Sequence, residues 1–177
     1  MQINISESLG QKIYRWIFFG LLALAYGWIK FQYHEIWKDE WQAWLITRDL
    51  PFGELLGQLY YEGHPSLWYF YLKPWTLFPG NDAVIFQLAH AIPTLIVFYL
   101  VVFKFRLSLW LSVLIPAGFF MFFEYGLVNR GYVLVTLLAF LMTIELSKKE
   151  SRPWALGVLA LLLCQTEVYV LFMAGAF

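Results

Sequence analysis

Apolar positions dominate the chain in long stretches, broken by short charged punctuation. Runs free of Asp, Glu, Lys and Arg cover residues 16–29, 83–103, 107–123, 131–144 and 153–166, the last continuing over 168–177 after the single Glu167. Several are shorter than the ~20 residues a bilayer requires. Arg15, Lys30 and Glu145 stand at their edges, where long side chains snorkel and lengthen a span. The pattern predicts an all-α chain, a polytopic transmembrane helical bundle of about five spans. The spans are expected over about 13–36, 82–104, 107–125, 130–147 and 153–177, within one membrane domain covering 1–177 and without a tandem repeat. The first run also carries Ala23-Leu24-Ala25, the small-x-small pattern of a signal-peptide cleavage site. Its apolar segment nevertheless continues through Tyr26-Gly27-Trp28-Ile29, and bulky aromatics crowd the cleavage point, so an uncleaved anchor is expected.

Between the first two spans lies an external loop, 37–80. Trp37, Trp41, Trp44 and Arg48 recur at i, i+4, i+7 and i+11, which predicts a helix lying in the interface. Residues 65–80 (PSLWYFYLKPWTLFPG) are aromatic enough to be mistaken for a sixth span, but they number sixteen and contain Lys73-Pro74. They are read as a second interfacial helix, with Trp68, Tyr69, Tyr71 and Trp75 at the headgroup level, where a ring is half wet.

Composition removes whole classes. With 61% hydrophobic, 21% aromatic and 14% charged residues, the chain has about half the charged fraction of a soluble domain, and lipid must cover the surplus apolar surface. Twelve basic and twelve acidic residues leave no net charge and no basic run, which excludes nucleic acid as a partner. Cys164 is the single cysteine, excluding an intramolecular disulfide, a thiolate metal cage and a C-x-x-C redox pair.

Charge distribution sets orientation. With the N-terminus cytoplasmic, the inner side receives Lys12, Arg15, Lys104, Arg106, Lys148, Lys149 and Arg152, seven of the twelve bases, in short segments as the positive-inside rule requires. Counting 65–80 as a crossing would put the later basic clusters outside. The extracytoplasmic side then holds Glu35, Asp39, Glu40, Asp49, Glu54, Glu62, Asp82 and Glu124. His90 lies about 12 Å below the outer end of the second span. Glu124 and Arg130 bracket an outer turn, Glu167 falls in the outer half of the fifth span, and Asp39, Glu40, Glu62 and His64 belong to the loop, so the candidate chemistry gathers at one face.

Each candidate has a bland reading. Asp39 in a first helical turn also serves as a cap. Glu62-Gly63-His64-Pro65 offers a carboxylate and an imidazole two residues apart, suited to a divalent metal ion, yet an exposed turn has the same composition. Glu124 and Arg130 most simply form a salt bridge, His90 an interior hydrogen bond, and Glu145 an ion pair with the neighbouring lysines. Pro93 and Pro116 are expected to kink their helices. Glu167 inside a span is as well suited to a functional role as to a structural pair.

Lys38-Asp39-Glu40-Trp41 opening W-x-A-W-L-I-T-R-D-L, then Tyr61-Glu62-Gly63-His64-Pro65-Ser66-Leu67-Trp68-Tyr69, resembles the first external loop of the GT-C fold. It looks like the branch that includes protein O-mannosyltransferases, the bacterial aminoarabinose transferase and related lipopolysaccharide-sugar transferases. The segment 123–132 (FEYGLVNRGY) is similar to the outer turn that follows in such proteins. The likeness covers roughly 13–177 and is to the N-terminal part, since family members continue through many more spans and usually a soluble C-terminal domain.

The resemblance implies an integral enzyme of the cell (inner) membrane that takes a sugar from a polyprenyl-phosphate donor and passes it to an extracytoplasmic acceptor, whether glycan, lipid or protein. It would give Asp39 the role of base, with Glu40 as its catalytic neighbour, Glu62 and His64 a metal site, and Arg130 the donor phosphate. Lys73, Glu124, Tyr132 and His90 complete the expected substrate-binding set. On chemical grounds such transfer needs a base for the acceptor hydroxyl and cations for the departing phosphate. A different class of function is a non-catalytic membrane protein that binds polyprenyl lipid or scaffolds partner helices. A transporter fits less well, because the polar residues cluster at one face.

Overall fold

Ser8 starts the first helix: its hydroxyl accepts the Gln11 N–H while the Gln11 side chain accepts the Ser8 N–H at 3.0 Å, a capping box. The computed structural model describes residues 8–62, 65–105 and 107–170. Within them, α1 (Leu9–Gln32) is followed by α2 (Lys38–Asp49), α3 (Phe52–Glu62) and α4 (Leu67–Leu72), which tightens into a 3-10 turn over Lys73–Leu77. Next come α5 (Asp82–Tyr99), widening into a π-helical turn at Leu100–Lys104, and α6 (Leu109–Ala117). A π-helical stretch at Phe120–Leu127 then leads to α7 (Tyr132–Leu146) and α8 (Pro153–Cys164). No strand occurs among the described residues, so the all-α expectation holds.

Among the described residues one helix, Asp82–Lys104, is by length and composition long and apolar enough to cross a membrane. A second qualifies if Leu109–Ala117 and Phe120–Leu127, bent by 42° at their break, are one span. Pro116 ends the first half of that pair, where a ring without an N–H interrupts the helical ladder. α7 and α8 are apolar but shorter. α1 is long, but Lys12, Arg15 and Lys30 dilute its apolar run.

α5 is the axis on which the rest packs, with α1 and α7 alongside and α8 beyond α7. Phe86 of α5 is wholly buried; Trp44 stacks on it at 5.2 Å between ring centroids, and Trp41 and Trp68 flank it. The half-wet environment expected for Trp68 and Tyr69 does not hold. Trp44, Trp68 and Tyr69 are core residues, because α2 and α4 turn their aromatic faces onto α5. A second apolar cluster joins Leu22 and Tyr26 of α1 to Ala91, Phe98 and Leu127.

The charged edges also depart from expectation. Arg15 folds inward rather than snorkelling, donating to the carbonyls of Val102 and Leu107 at 2.6 Å each, where a helix end leaves acceptors unused. Lys30 is fully buried. Glu145 pairs with Lys148 as anticipated, and Arg152 adds Nε at 3.0 Å and a second guanidinium N–H at 3.1 Å, clamping the α7–α8 connection.

Candidate functional site

Where α2, α3, α4, the 128–131 turn and the segment after α8 meet, they leave a cavity of about 330 Å³. Its wall carries Asp39, Gln42, Glu62, Trp68, Tyr69, Asn129, Arg130, Tyr132 and Glu167. Asp39 is available to it because Glu40 does the capping: Glu40 Oε2 accepts the Trp37 N–H at 2.5 Å, which closes the start of α2. Asp39 itself accepts a hydrogen bond from the Arg130 guanidinium, which also lies 5.7 Å from the centre of the Trp37 ring.

Glu62 ends α3 with both oxygens engaged, Oε2 by the Gln42 amide at 2.9 Å and Oε1 by the Gln58 amide at 3.1 Å. The last wall is fastened by the Leu67 N–H donating to the Gln165 carbonyl at 2.9 Å and by a 3.2 Å bond between the Ser66 hydroxyl and the Gln165 side chain. These bonds bring Thr166 and Glu167 to the cavity. Gly131 is the close approach in the wall: a Cβ there would meet the Trp68 Cβ at 3.3 Å and Glu167 Oε1 at 3.7 Å. Burial, and then the charges of Glu62 and Glu167, push the Tyr69 phenol up to about 12, so it faces the cavity as a neutral hydroxyl.

Of the residues singled out from sequence, Asp39, Glu62, Arg130 and Tyr132 converge on this cavity. Glu40 lies behind it, 1% exposed, holding Trp37, Asn129 and His34. Lys73 lies elsewhere, donating to the carbonyls of Thr47 at 2.7 Å and Leu50 at 2.6 Å to close the end of α2. Glu124 lies on the π-helical stretch, outside the cavity wall, and the anticipated Glu124–Arg130 bridge gives way to Arg130–Asp39. His90 is wholly buried, with its Nδ1 3.1 Å from Lys30 Nζ and its ring edge-on to Trp68 at 6.0 Å.

His64 falls outside the described residues. Among those described, no three His, Cys, Asp or Glu side chains are grouped to hold a metal ion. Glu62 is the one expected ligand in view, and its two amide partners already orient it without a cation.

Sequence reasoning missed Lys30, Gln42 and Asn129 and left Glu167 open. A signal for Lys30 was present: Arg15, Leu22, Tyr26 and Lys30 are the buried positions of α1, and their spacing of 7, 4 and 4 places them on one helical face. Gln42 and Asn129 carry no comparable signal, because their roles depend on partners 20 and 99 residues away. Comparison with models of known families, with curated proteins and with solved structures returns no match.

Proposed function

We propose that the chain is part of a GT-C-like membrane glycosyltransferase, moving a sugar from a polyprenyl-phosphate donor to an extracytoplasmic acceptor. In this reading about five helices cross the cell membrane, the N-terminus is cytoplasmic, and the cavity opens at the outer face. The observation that carries it is the convergence of Asp39, Glu62, Arg130 and Tyr132, from separate parts of the sequence, on one aromatic-walled cavity. Exposed Ile13, Ile17, Leu21, Leu24 and Trp28 along α1 support lipid as the surrounding medium.

The chemistry follows from the Asp39–Arg130 pair. A donor phosphate competes for Arg130, since guanidinium binds phosphate oxygens in the same forked geometry as a carboxylate. Asp39 is thereby released to accept the proton of the acceptor hydroxyl. The acceptor oxygen attacks the anomeric carbon, the bond from that carbon to the phosphate oxygen breaks, and the phosphate leaves with the electron pair, facing Arg130. Tyr132 and Trp68 contribute to the aromatic part of the wall that a sugar would meet.

The test is release of polyprenyl phosphate from a panel of polyprenyl-phosphate sugars by the protein in lipid nanodiscs. Release that disappears in Asp39→Asn, with insertion intact, supports the reading. Binding of the lipid-linked sugar without release overturns it in favour of a lipid-binding protein.

A further inference from the structure

Two dipeptides, Asp39-Glu40 and Asn129-Arg130, face each other beside the cavity. Asp39 accepts from Arg130 at the cavity, while the next residue along, Glu40, accepts the backbone N–H of the preceding residue, Asn129. One rung is partly exposed, with side-chain exposures of 54% for Asp39 and 32% for Arg130. The other is buried, Glu40 being 1% and Asn129 0% exposed. Glu40 is held in turn by His34 Nε2 at 3.1 Å and by the Trp37 N–H.

The buried rung has a second anchor. Lys30 Nζ reaches Asn129 Oδ1 at 2.5 Å, the Leu127 carbonyl at 2.5 Å and His90 Nδ1 at 3.1 Å. With the Gly126 carbonyl at 3.5 Å, four acceptors surround the Lys30 ammonium, three of them at close range for its three hydrogens. Accepting at Nδ1 leaves the His90 proton on Nε2, which has no hydrogen-bond partner among the described residues. A wholly buried ammonium is costly to desolvate, and its carboxylate counterpart, Glu40, lies on the other side of Asn129. Asn129 is therefore gripped twice, by its side chain from α1 and by its backbone from α2, immediately before Arg130.

We propose that Lys30 is a positioning residue for the cavity: by holding the Asn129 side chain it fixes the backbone from which Arg130 reaches Asp39. The importance of that placement rests on the glycosyl-transfer reading, but the placement itself does not. Among the described residues, Asn129 is the one member of the cavity wall that hydrogen-bonds Lys30, which reaches Trp68 through the His90 ring.

The experiment reads Arg130 directly and needs no substrate. Phenylglyoxal modifies accessible guanidinium groups, and its rate at Arg130 is compared by peptide mass spectrometry with the rates at Arg48 and Arg152, in the full chain in nanodiscs. In Lys30→Met, labelling of Arg130 is expected to rise several-fold with Arg48 and Arg152 unchanged. Asn129→Leu, which keeps Lys30 but removes its acceptor, is expected to do the same. Asn129→Asp, which keeps an acceptor oxygen for Lys30, is expected to retain slow labelling. Arg130 labelling unchanged in both Lys30→Met and Asn129→Leu overturns the proposal. A rise common to all three arginines in both variants also overturns it, since that is general loss of packing. Failure of the glycosyl-transfer reading would instead leave the labelling pattern intact and appear only as absence of phosphate release.

Discussion

Arg130 donates to the Asp39 carboxylate across 91 residues of sequence, from a turn preceding α7 to the first turn of α2. Both side chains are partly in solvent, 32% and 54% exposed. Such a pair contributes only about 0–1 kcal/mol to stability. Its worth lies in placement.

Removal of either partner is therefore expected to separate stability from function. Arg130→Ala should shift unfolding by no more than ~1 kcal/mol, while weakening capture of polyprenyl-phosphate donors by at least tenfold. Asp39→Asn should retain donor binding and lose transfer. Denaturation and donor-binding titrations on the same preparations check both; a large stability loss in Arg130→Ala would show that the pair is structural.

The Phe86 ring is the opposite case, fully buried and contacted by Trp44, Trp41 and Trp68. Truncating a buried aromatic costs about 3–5 kcal/mol through lost transfer energy and the cavity left behind. Phe86→Ala is expected to fall in that range by equilibrium unfolding and to loosen the Trp68 wall with it. Phe86→Leu, which keeps most of the volume, should recover most of the loss.

Two glycines should respond differently to the same methyl group. A Cβ at Gly126 would lie 2.9 Å from the Met121 carbonyl, a backbone atom inside the π-helical stretch, and the Gly126 carbonyl accepts the Tyr26 hydroxyl at 2.9 Å. Gly126→Ala must move the turn and is expected to cost about 1–3 kcal/mol. At Gly131 the nearest atom is the Trp68 Cβ at 3.3 Å, a side-chain contact that has to give by only a few tenths of an ångström. Gly131→Ala is expected to fold and to narrow the cavity, read out as weaker donor binding with little change in unfolding midpoint.

Tyr69 supplies a pH signature. Its phenol is pushed from the ordinary 10.0 up to about 12, first by burial and then by the Glu62 and Glu167 charges. Below pH 10 it is neutral folded and unfolded, so it adds no pH dependence. Between about 10 and about 12 the folded chain keeps a proton that the unfolded chain has lost, so its contribution to stability falls as pH rises. Difference absorbance between the wild type and Tyr69→Phe during alkaline titration should show a phenolate forming near 12. Formation near 10 would place Tyr69 in water.

The helices were legible in the sequence because long apolar runs and their charged edges specify where a helix starts and stops. The runs over 83–103, 131–144 and 153–166 coincide with the helical segments Asp82–Lys104, Tyr132–Leu146 and Pro153–Cys164. The destination of a face was not legible. The Trp41/Trp44 stripe is equally suited to a headgroup layer and to an aromatic platform, and only the arrival of Phe86 decides between them. Of the four candidate side chains at the cavity, Asp39, Glu62 and Arg130 were found by residue type and charge placement, and Tyr132 through the resemblance of the 123–132 segment. Lys73 and Glu124 were drawn in by charge alone, and Lys73 closes a helix end instead. Lys30 was read as an edge residue, because a cation near the end of an apolar run ordinarily reaches for water.

The two inward cations of α1 also impose an order on biosynthesis. Arg15 meets its acceptors 87 and 92 residues later, and Lys30 meets His90, Leu127 and Asn129 after 60, 97 and 99 residues. At ~5–20 residues per second, Lys30 is made roughly 5–20 s before Asn129 exists to receive it. During that interval the helix carries a lysine with no place to go but water or a chaperone. Nascent chains arrested before residue 127 should therefore react at Lys30 with amine reagents, and chains arrested well beyond 130 should protect it. The earliest helix made thus waits for its partners until the turn that ends in Arg130 has been synthesised.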